Sequence, residues 1–376
     1  MKPALFVSNG HGEIAIAARI AQEVEKRAAI RCDHLALVGD AGHSPALHDV
    51  GPRRKMPSGG MIAMGNVVNI VRDLAAGLGP LTAAQWTYVA RNGGAYGTIA
   101  AVGDTFALFM ALRARTPVVF VGTAKSVYVA RYGRMEERLM RGARAVFVRD
   151  DATVQALEAH GIAAVAANVM ADLGVAQKPQ RPALEGDPLI GLFPGSRENA
   201  YENARFLLEV LLRMQTSAPR IRAILSIAPG LEPSRFAAEL RRGDVRVMPG
   251  TDPLEPFSVC AGEVEILRAW TGEIGAIIDR AALVLGQAGT ANEAAASAGV
   301  PVVAFEGGGW YRSRQAALLG GALRVLPRDA ESGARRILDL LENAAEREAM
   351  ARTGRERLGA PGAAARIAET IVRLCA

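Results

Sequence analysis

"DPLIGLFPGSRENAYENARFLLEVLLRM" (187–214) decides the fold of this chain. The run 189–193 is apolar without interruption, as a strand buried on both faces is. Pro-Gly-Ser-Arg ends it. Apolar residues then recur at 204, 207, 208 and 211, the spacing of one helix face. Strand, Gly-bearing polar turn and amphipathic helix form the opening unit of an α/β domain. The stretch "PALFVSNGHGEIAIAARIAQEVEKR" (3–27) follows the same plan. After each opening come further short apolar runs: HLALVG, TIAAVG, PVVFVG and ARAVFVR in the first half, IRAILSIA, AALVLG and PVVAF in the second. Helical patterns such as DDATVQALEAHG (150–161) and TANEAAASAG (290–299) separate them. The expected fold class is α/β, with two Rossmann-like, doubly wound domains facing a cleft.

With 376 residues the chain suits two domains of about 150–200 residues each. The first is expected over 1–178 and the second over 186–358, joined through the Pro/Gly-rich segment 174–188. A break at "GAPG" (359–362) precedes a last helix, 361–376, expected to pack back on the first domain. Half the residues are apolar and 22% are charged, a globular composition. The net charge of +6 favours an anionic partner: nucleotide, phosphorylated substrate or acidic membrane surface. There is no Lys/Arg block with interleaved aromatics, so no nucleic-acid partner is expected. Three widely spaced cysteines argue for a reducing compartment, and the histidines have no metal-ligand spacing. No metal or cofactor is expected. The chain lacks signal-peptide layout and any 18-residue apolar span, so a cytoplasmic protein is expected, with peripheral contact at the inner membrane face.

Two turns carry chemistry in the second half. In the first, Pro194 stops the strand and Gly195 lets a ligand approach the backbone. Ser196 is suited to cap the helix or donate a hydroxyl. Arg197 brings fixed charge to a helix N-terminus that already favours anions. The plain alternative pairs Arg197 with Glu198 or Glu202. The second turn lies in "LGQAGTANEAAASAGVPVVAF" (285–305). Gly289 and Thr290 open a helix there. Glu293 follows about 5 Å along the axis, within reach of a ribose if a phosphate sits on the turn. Alone, this is also an ordinary helix start with an early acid. Neither turn is a dinucleotide fingerprint or a P-loop.

Here the chain resembles the lipid-A-disaccharide synthase family, glycosyltransferases of the two-domain GT-B type. Pro194-Gly195-Ser196-Arg197 resembles the family's Pro-Gly-Ser-Arg turn near the nucleotide diphosphate. Gly289, Thr290 and Glu293 resemble its Gly-Thr-x-x-Glu segment. "NGHGEIAIAARIA" (9–21) resembles its opening loop, which places Gly12 and Glu13 at the cleft. "GGMIAMGNVVNIVRDL" (59–74) resembles an acceptor-side segment and brings Met61 and Met64 into the candidate set. "AVGDTFAL" (101–108) resembles its Gly-x-Asp segment and makes Asp104 the candidate base. Two departures stand out. The family's second Asp is absent around Phe106 and Ala107, and "ANVMADL" (167–173) lacks the usual Gly and Pro but keeps Asp172.

The resemblance implies a metal-independent, inverting transfer from a UDP-sugar of the N-acetylglucosamine type to a lipid-linked or phosphorylated sugar. Asp104, Glu13 and His11 are the catalytic candidates. Gly195, Ser196, Arg197, Gly289, Thr290, Glu293 and Gln315 are the donor-side candidates, with Arg312 nearby. Gly12, Met61, Met64 and Lys125 are the acceptor-side candidates. Read as residues alone, Asp104 is equally an N-cap, and 53–74 is equally an ordinary buried helix after a basic loop. A UDP-sugar 2-epimerase on the same fold, or a nucleotide-sugar-binding protein with altered catalysis, are the alternatives.

Overall fold

The computed structural model describes residues 1–38, 44–54, 56, 72–307 and 309–376, and the backbone alone of His11. The chain divides into two compact units, one of Met1–Val169 with Pro361–Ala376, the other of Met170–Ala360. The acceptor-side segment around Met61 and Met64 lies outside the described residues.

The first unit holds β1 (Ala4–Ser8), β2 (Cys32–Ala36), β3 (His48–Asp49), β4 (Thr98–Gly103), β5 (Val118–Gly122), β6 (Ala145–Val148) and β7 (Val165–Ala166). The strands are all parallel, in the order β3-β2-β1-β4-β5-β6-β7. β1 and β4 are buried along their whole length, which is why their sequences are apolar without alternation. The order reverses between β1 and β4, and this opens a crevice at their carboxyl ends. The helix His11–Glu25 follows β1, and the helix Ala363–Cys375 packs against it, burying Ile367 and Ile371. The chain end is fastened there: Lys2 N–H donates to the Cys375 carbonyl at 3.2 Å. Arg366 reaches the Ala166 carbonyl at 3.0 Å.

The second unit holds β8 (Leu189–Phe193), β9 (Arg222–Ser226), β10 (Arg246–Asp252), β11 (Glu255–Ala261), β12 (Val264–Trp270), β13 (Leu283–Gly286), β14 (Val302–Phe305) and β15 (Leu323–Leu326). Their order is β10-β11-β12-β9-β8-β13-β14-β15. β12 through β15 repeat the first unit's plan with β8 at the centre, and the reversal falls between β8 and β13. The antiparallel meander β10–β12 is an addition that the apolar runs did not announce. The helix Ala200–Ser217 covers this sheet with Leu207, Leu208, Leu211 and Met214, all fully buried. Each such side chain contributes about 1.5–3 kcal/mol. The segment 174–188 is strapped to this unit: Glu273 accepts from Gln177 and Lys178 N–H at 2.6 and 3.1 Å, and Arg280 donates to the Leu184 carbonyl at 2.9 Å. Among the described residues no helix is long and apolar enough to cross a membrane.

Candidate functional site

In the second unit both polar turns leave adjacent strands at the reversal. Phe193 and Gly286 are register partners at the ends of β8 and β13. Gly195 has φ +121°, a conformation open to glycine and strained for other residues. Asn203, one helical turn into Ala200–Ser217 and buried, donates to the Pro194 carbonyl at 2.9 Å and holds the turn from below. The helix does not begin at the turn. It begins at Ala200 with Asn199 in the N-cap position, because Ala200 N–H first closes a tight turn onto the Arg197 carbonyl at 2.8 Å. Ser196 therefore does not cap it, and its side chain is exposed. Arg197 is exposed as well. The acids that would have neutralised it are taken: Glu198 pairs with Arg235, and Glu202 with Arg328 at 3.3 Å.

The companion turn is built on amides. Asn292 donates to the Gly286 carbonyl at 3.0 Å. Gln315, 4% exposed, donates to the carbonyls of Ala288 and Gly289 at 3.0 and 3.2 Å. With those carbonyls engaged, the backbone N–H groups of Ala288, Gly289, Thr290 and Ala291 have no acceptor among the described residues. Gly289 and Thr290 open the helix Thr290–Ser297 as expected, and Glu293 is buried in its first turn. These N–H groups, the dipole of the helix they open and Arg197 make this crevice attractive to an anion with more than one charge.

In the first unit, Asn9 and Asp104 follow β1 and β4. Asp104 Oδ1 accepts from the N–H groups of Phe106 and Ala107 at 3.1 and 3.0 Å, a helix N-cap. Its Oδ2 accepts from the Asn9 side-chain amide at 3.3 Å. One carboxylate therefore caps a helix and faces the crevice. Glu13 packs against Gly103: a Cβ there would meet Glu13 Cγ at 3.0 Å, and the φ of +127° favours glycine as well. Gly12 opens the same helix, and the side chain of His11 lies outside the described residues. Lys125 is not an unpaired cation. Its ammonium donates to Glu136 Oε2 at 2.6 Å. Burial pushes the Glu136 carboxyl pKa up, but the Gly133 N–H, Lys125 and Thr105 outweigh burial and hold it below the usual range.

Beside Asp104 lies an apolar cavity of about 700 Å³. Leu78, Trp86, Phe106, Phe109 and Met110 line it, and Asn9 and Asp104 supply polar groups. The Trp86 and Phe109 rings pack at 4.9 Å, while Phe106 and Phe109 remain partly exposed.

Asn9, Asn203 and Asn292 were not singled out by the sequence reading. Asn203 had a usable signal: a lone amide among the apolar residues of an amphipathic face. Asn9 had none beyond its place in a glycine-rich turn.

No family model matches this sequence, and no curated protein matches it. Solved structures do match the fold. The UDP-GlcNAc 2-epimerase from Neisseria meningitidis, determined bound to UDP-GlcNAc, aligns with a TM-score of 0.54 at 13% identity, over 99% of each chain. MurG from Acinetobacter baumannii aligns at 0.53 and 15% identity, over 99% of this chain and 100% of that one. The glycosyltransferase SnogD from Streptomyces nogalater aligns at 0.55 and 16% identity over the whole of both. Glycosyltransferases and epimerases thus share this architecture, and the likeness is one of fold. Two Rossmann-like α/β units, each with its strand reversal beside a polar turn, give this chain the GT-B fold.

Proposed function

We propose that the chain is a UDP-sugar-dependent hexosyltransferase that moves an N-acetylglucosamine-type sugar to a lipid-linked or phosphorylated sugar acceptor. The pair of anion-ready turns on β8 and β13 carries the reading. In it the diphosphate spans the turns at Gly195–Arg197 and Gly289–Thr290, and Glu293 accepts from the ribose hydroxyls. The bound UDP-GlcNAc of the Neisseria meningitidis epimerase supports a uridine nucleotide as the ligand of such a fold.

In the first unit Asp104 accepts the proton of the attacking hydroxyl through Oδ2, while Oδ1 stays committed to its cap. Glu13 and His11 belong to the first turn of the helix that follows β1. The hydroxyl oxygen bonds to the anomeric carbon as the bond to the diphosphate breaks, with inversion. Arg197 and the free N–H groups stabilise the charge that grows on the departing UDP, so no metal is needed. The apolar cavity beside Asp104 supports an acceptor with a lipid tail. Such an acceptor would bring this cytoplasmic chain to the inner membrane face as a peripheral protein, with the disaccharide-forming step of lipid A synthesis as the model reaction.

Calorimetry with UDP and UDP-GlcNAc, followed by product analysis, tests the reading. Binding of UDP with acceptor-dependent UDP release is expected. Conversion of UDP-GlcNAc to its 2-epimer without UDP release would assign the chain to the epimerases. Binding without either product would make it a nucleotide-sugar-binding protein. Absence of uridine nucleotide binding would remove the donor assignment.

A further inference from the structure

Behind the Gln287–Thr290 turn sits a buried positive charge without a carboxylate. Arg312 belongs to the helix Trp310–Leu319 and is 8% exposed. Its guanidinium donates to the side-chain oxygens of Gln315 and Gln287. Its Nε is buried and has no partner among the described residues. No Asp or Glu pairs with it among the described residues. Burial pushes its pKa down, and Tyr311 opposes that shift without supplying a counter-charge. An arginine is the cation least able to shed its proton, so this site carries an uncompensated charge in a medium of low polarity.

A buried, uncompensated cation opposes folding, and the packing of a core needs none. Arg312 is instead connected to the turn. It holds Gln315, and Gln315 holds the carbonyls of Ala288 and Gly289 at 3.0 and 3.2 Å. Asn292 joins Gln315 at 3.4 Å and holds the Gly286 carbonyl at 3.0 Å. Every carbonyl so engaged leaves the N–H groups of the turn as its outward polar face. The missing counter-ion is then a charge that arrives with the ligand.

We propose that Arg312 is a positioning residue whose unpaired charge makes this turn select a nucleoside diphosphate over a neutral nucleoside. The role rests on the donor site proposed above. It acts through Gln315 and Gln287 and requires no contact between Arg312 and the ligand.

The test compares the full chain with Arg312→Met and Arg312→Lys by calorimetry with UDP and with uridine, alongside thermal melts without ligand. For Arg312→Met, UDP affinity is expected to fall about tenfold or more and uridine affinity by less than about threefold. Its melting temperature is expected to change little, since relief of a buried charge that lacks a carboxylate offsets the loss of its bonds to Gln315 and Gln287. Arg312→Lys is expected to keep the preference for UDP. Equal loss of UDP and uridine in Arg312→Met, with a lower melting temperature, would make the residue structural and overturn the role. So would unchanged UDP binding. If Arg312→Met does not fold, the Lys variant decides: retained selectivity supports the charge, and equal loss of both ligands overturns it. A wild-type chain that binds neither ligand removes the donor site itself, and this role with it.

Discussion

The backbone N–H of Gln287 donates to the carbonyl of Phe193 at 2.8 Å, so the two polar turns of the second unit start from hydrogen-bonded neighbours. That bond extends the β8–β13 ladder one residue past Gly286. It converts two turns about 90 residues apart in sequence into one crevice wall.

Arg197 is the exposed cation on that wall. Its replacement by alanine removes no packing, so the thermal midpoint should stay put, as surface substitutions typically change stability by less than about 0.5 kcal/mol. Loss of a charge-assisted bond to phosphate should weaken UDP binding by about 1.5–3 kcal/mol, roughly tenfold or more. Calorimetry on Arg197→Ala checks this. Equal affinities for the two proteins would place the diphosphate elsewhere.

Gly195 isolates backbone strain from steric clash. A Cβ there would meet nothing closer than the Gln287 carbonyl oxygen at 3.9 Å, so room is not the issue. The φ of +121° is. Gly195→Ala should therefore cost about 1–3 kcal/mol in urea denaturation. A variant as stable as the parent would mean that the turn relaxes to another conformation.

Asp104 combines two jobs that different substitutions separate. Asparagine caps helices as well as aspartate, so Asp104→Asn should melt with the parent. Alanine should lose about 1 kcal/mol. Both should lower turnover by about 10²–10⁴-fold if Oδ2 is the proton acceptor. Full activity in a stable Asp104→Asn protein would discard Asp104 as the base.

His34 should make stability depend on acidity. It is 1% exposed, with Nε2 bonded to Ser8 Oγ at 2.8 Å and Nδ1 3.5 Å from Asp49. Burial pushes its pKa below the ordinary 6.5; Asp49 opposes the shift and Arg53 adds to it. Below pH 6.5 the unfolded chain takes up this proton before the folded one does. Stability is thus fully present above 6.5 and is lost as pH falls toward the folded value. Urea midpoints at pH 7.5 and 5.5 measure the loss, which His34→Gln should reduce. A parent and variant with the same pH slope would assign the loss to other groups.

The strands at the centre of both sheets were legible because burial on two faces demands continuous apolar runs, as in β1, β4 and β8. The meander β10–β12 was not. Its strands are partly exposed, and Met248 and Val264 both face solvent at 47%. The hairpin signal was present in Gly262, whose φ is +60° between β11 and β12. The turn at 194–199 was legible as polar and glycine-bearing, yet its helix was expected too early. A tertiary bond from Asn203 to Pro194, and the Ala200–Arg197 turn, decide where that helix begins.

Local spacing in the sequence determined the α/β class, the two openings and the residue types on each turn, since strand and helix periodicities are properties of neighbouring residues. The tertiary structure alone decided which turns meet. Sheet order brought β8 beside β13 and β1 beside β4. It set Asn9 on Asp104, brought Arg312 to Gln287 and laid Gln315 on the Gly289 carbonyl. These pairings depend on contacts between residues far apart in the chain, and no local pattern encodes them.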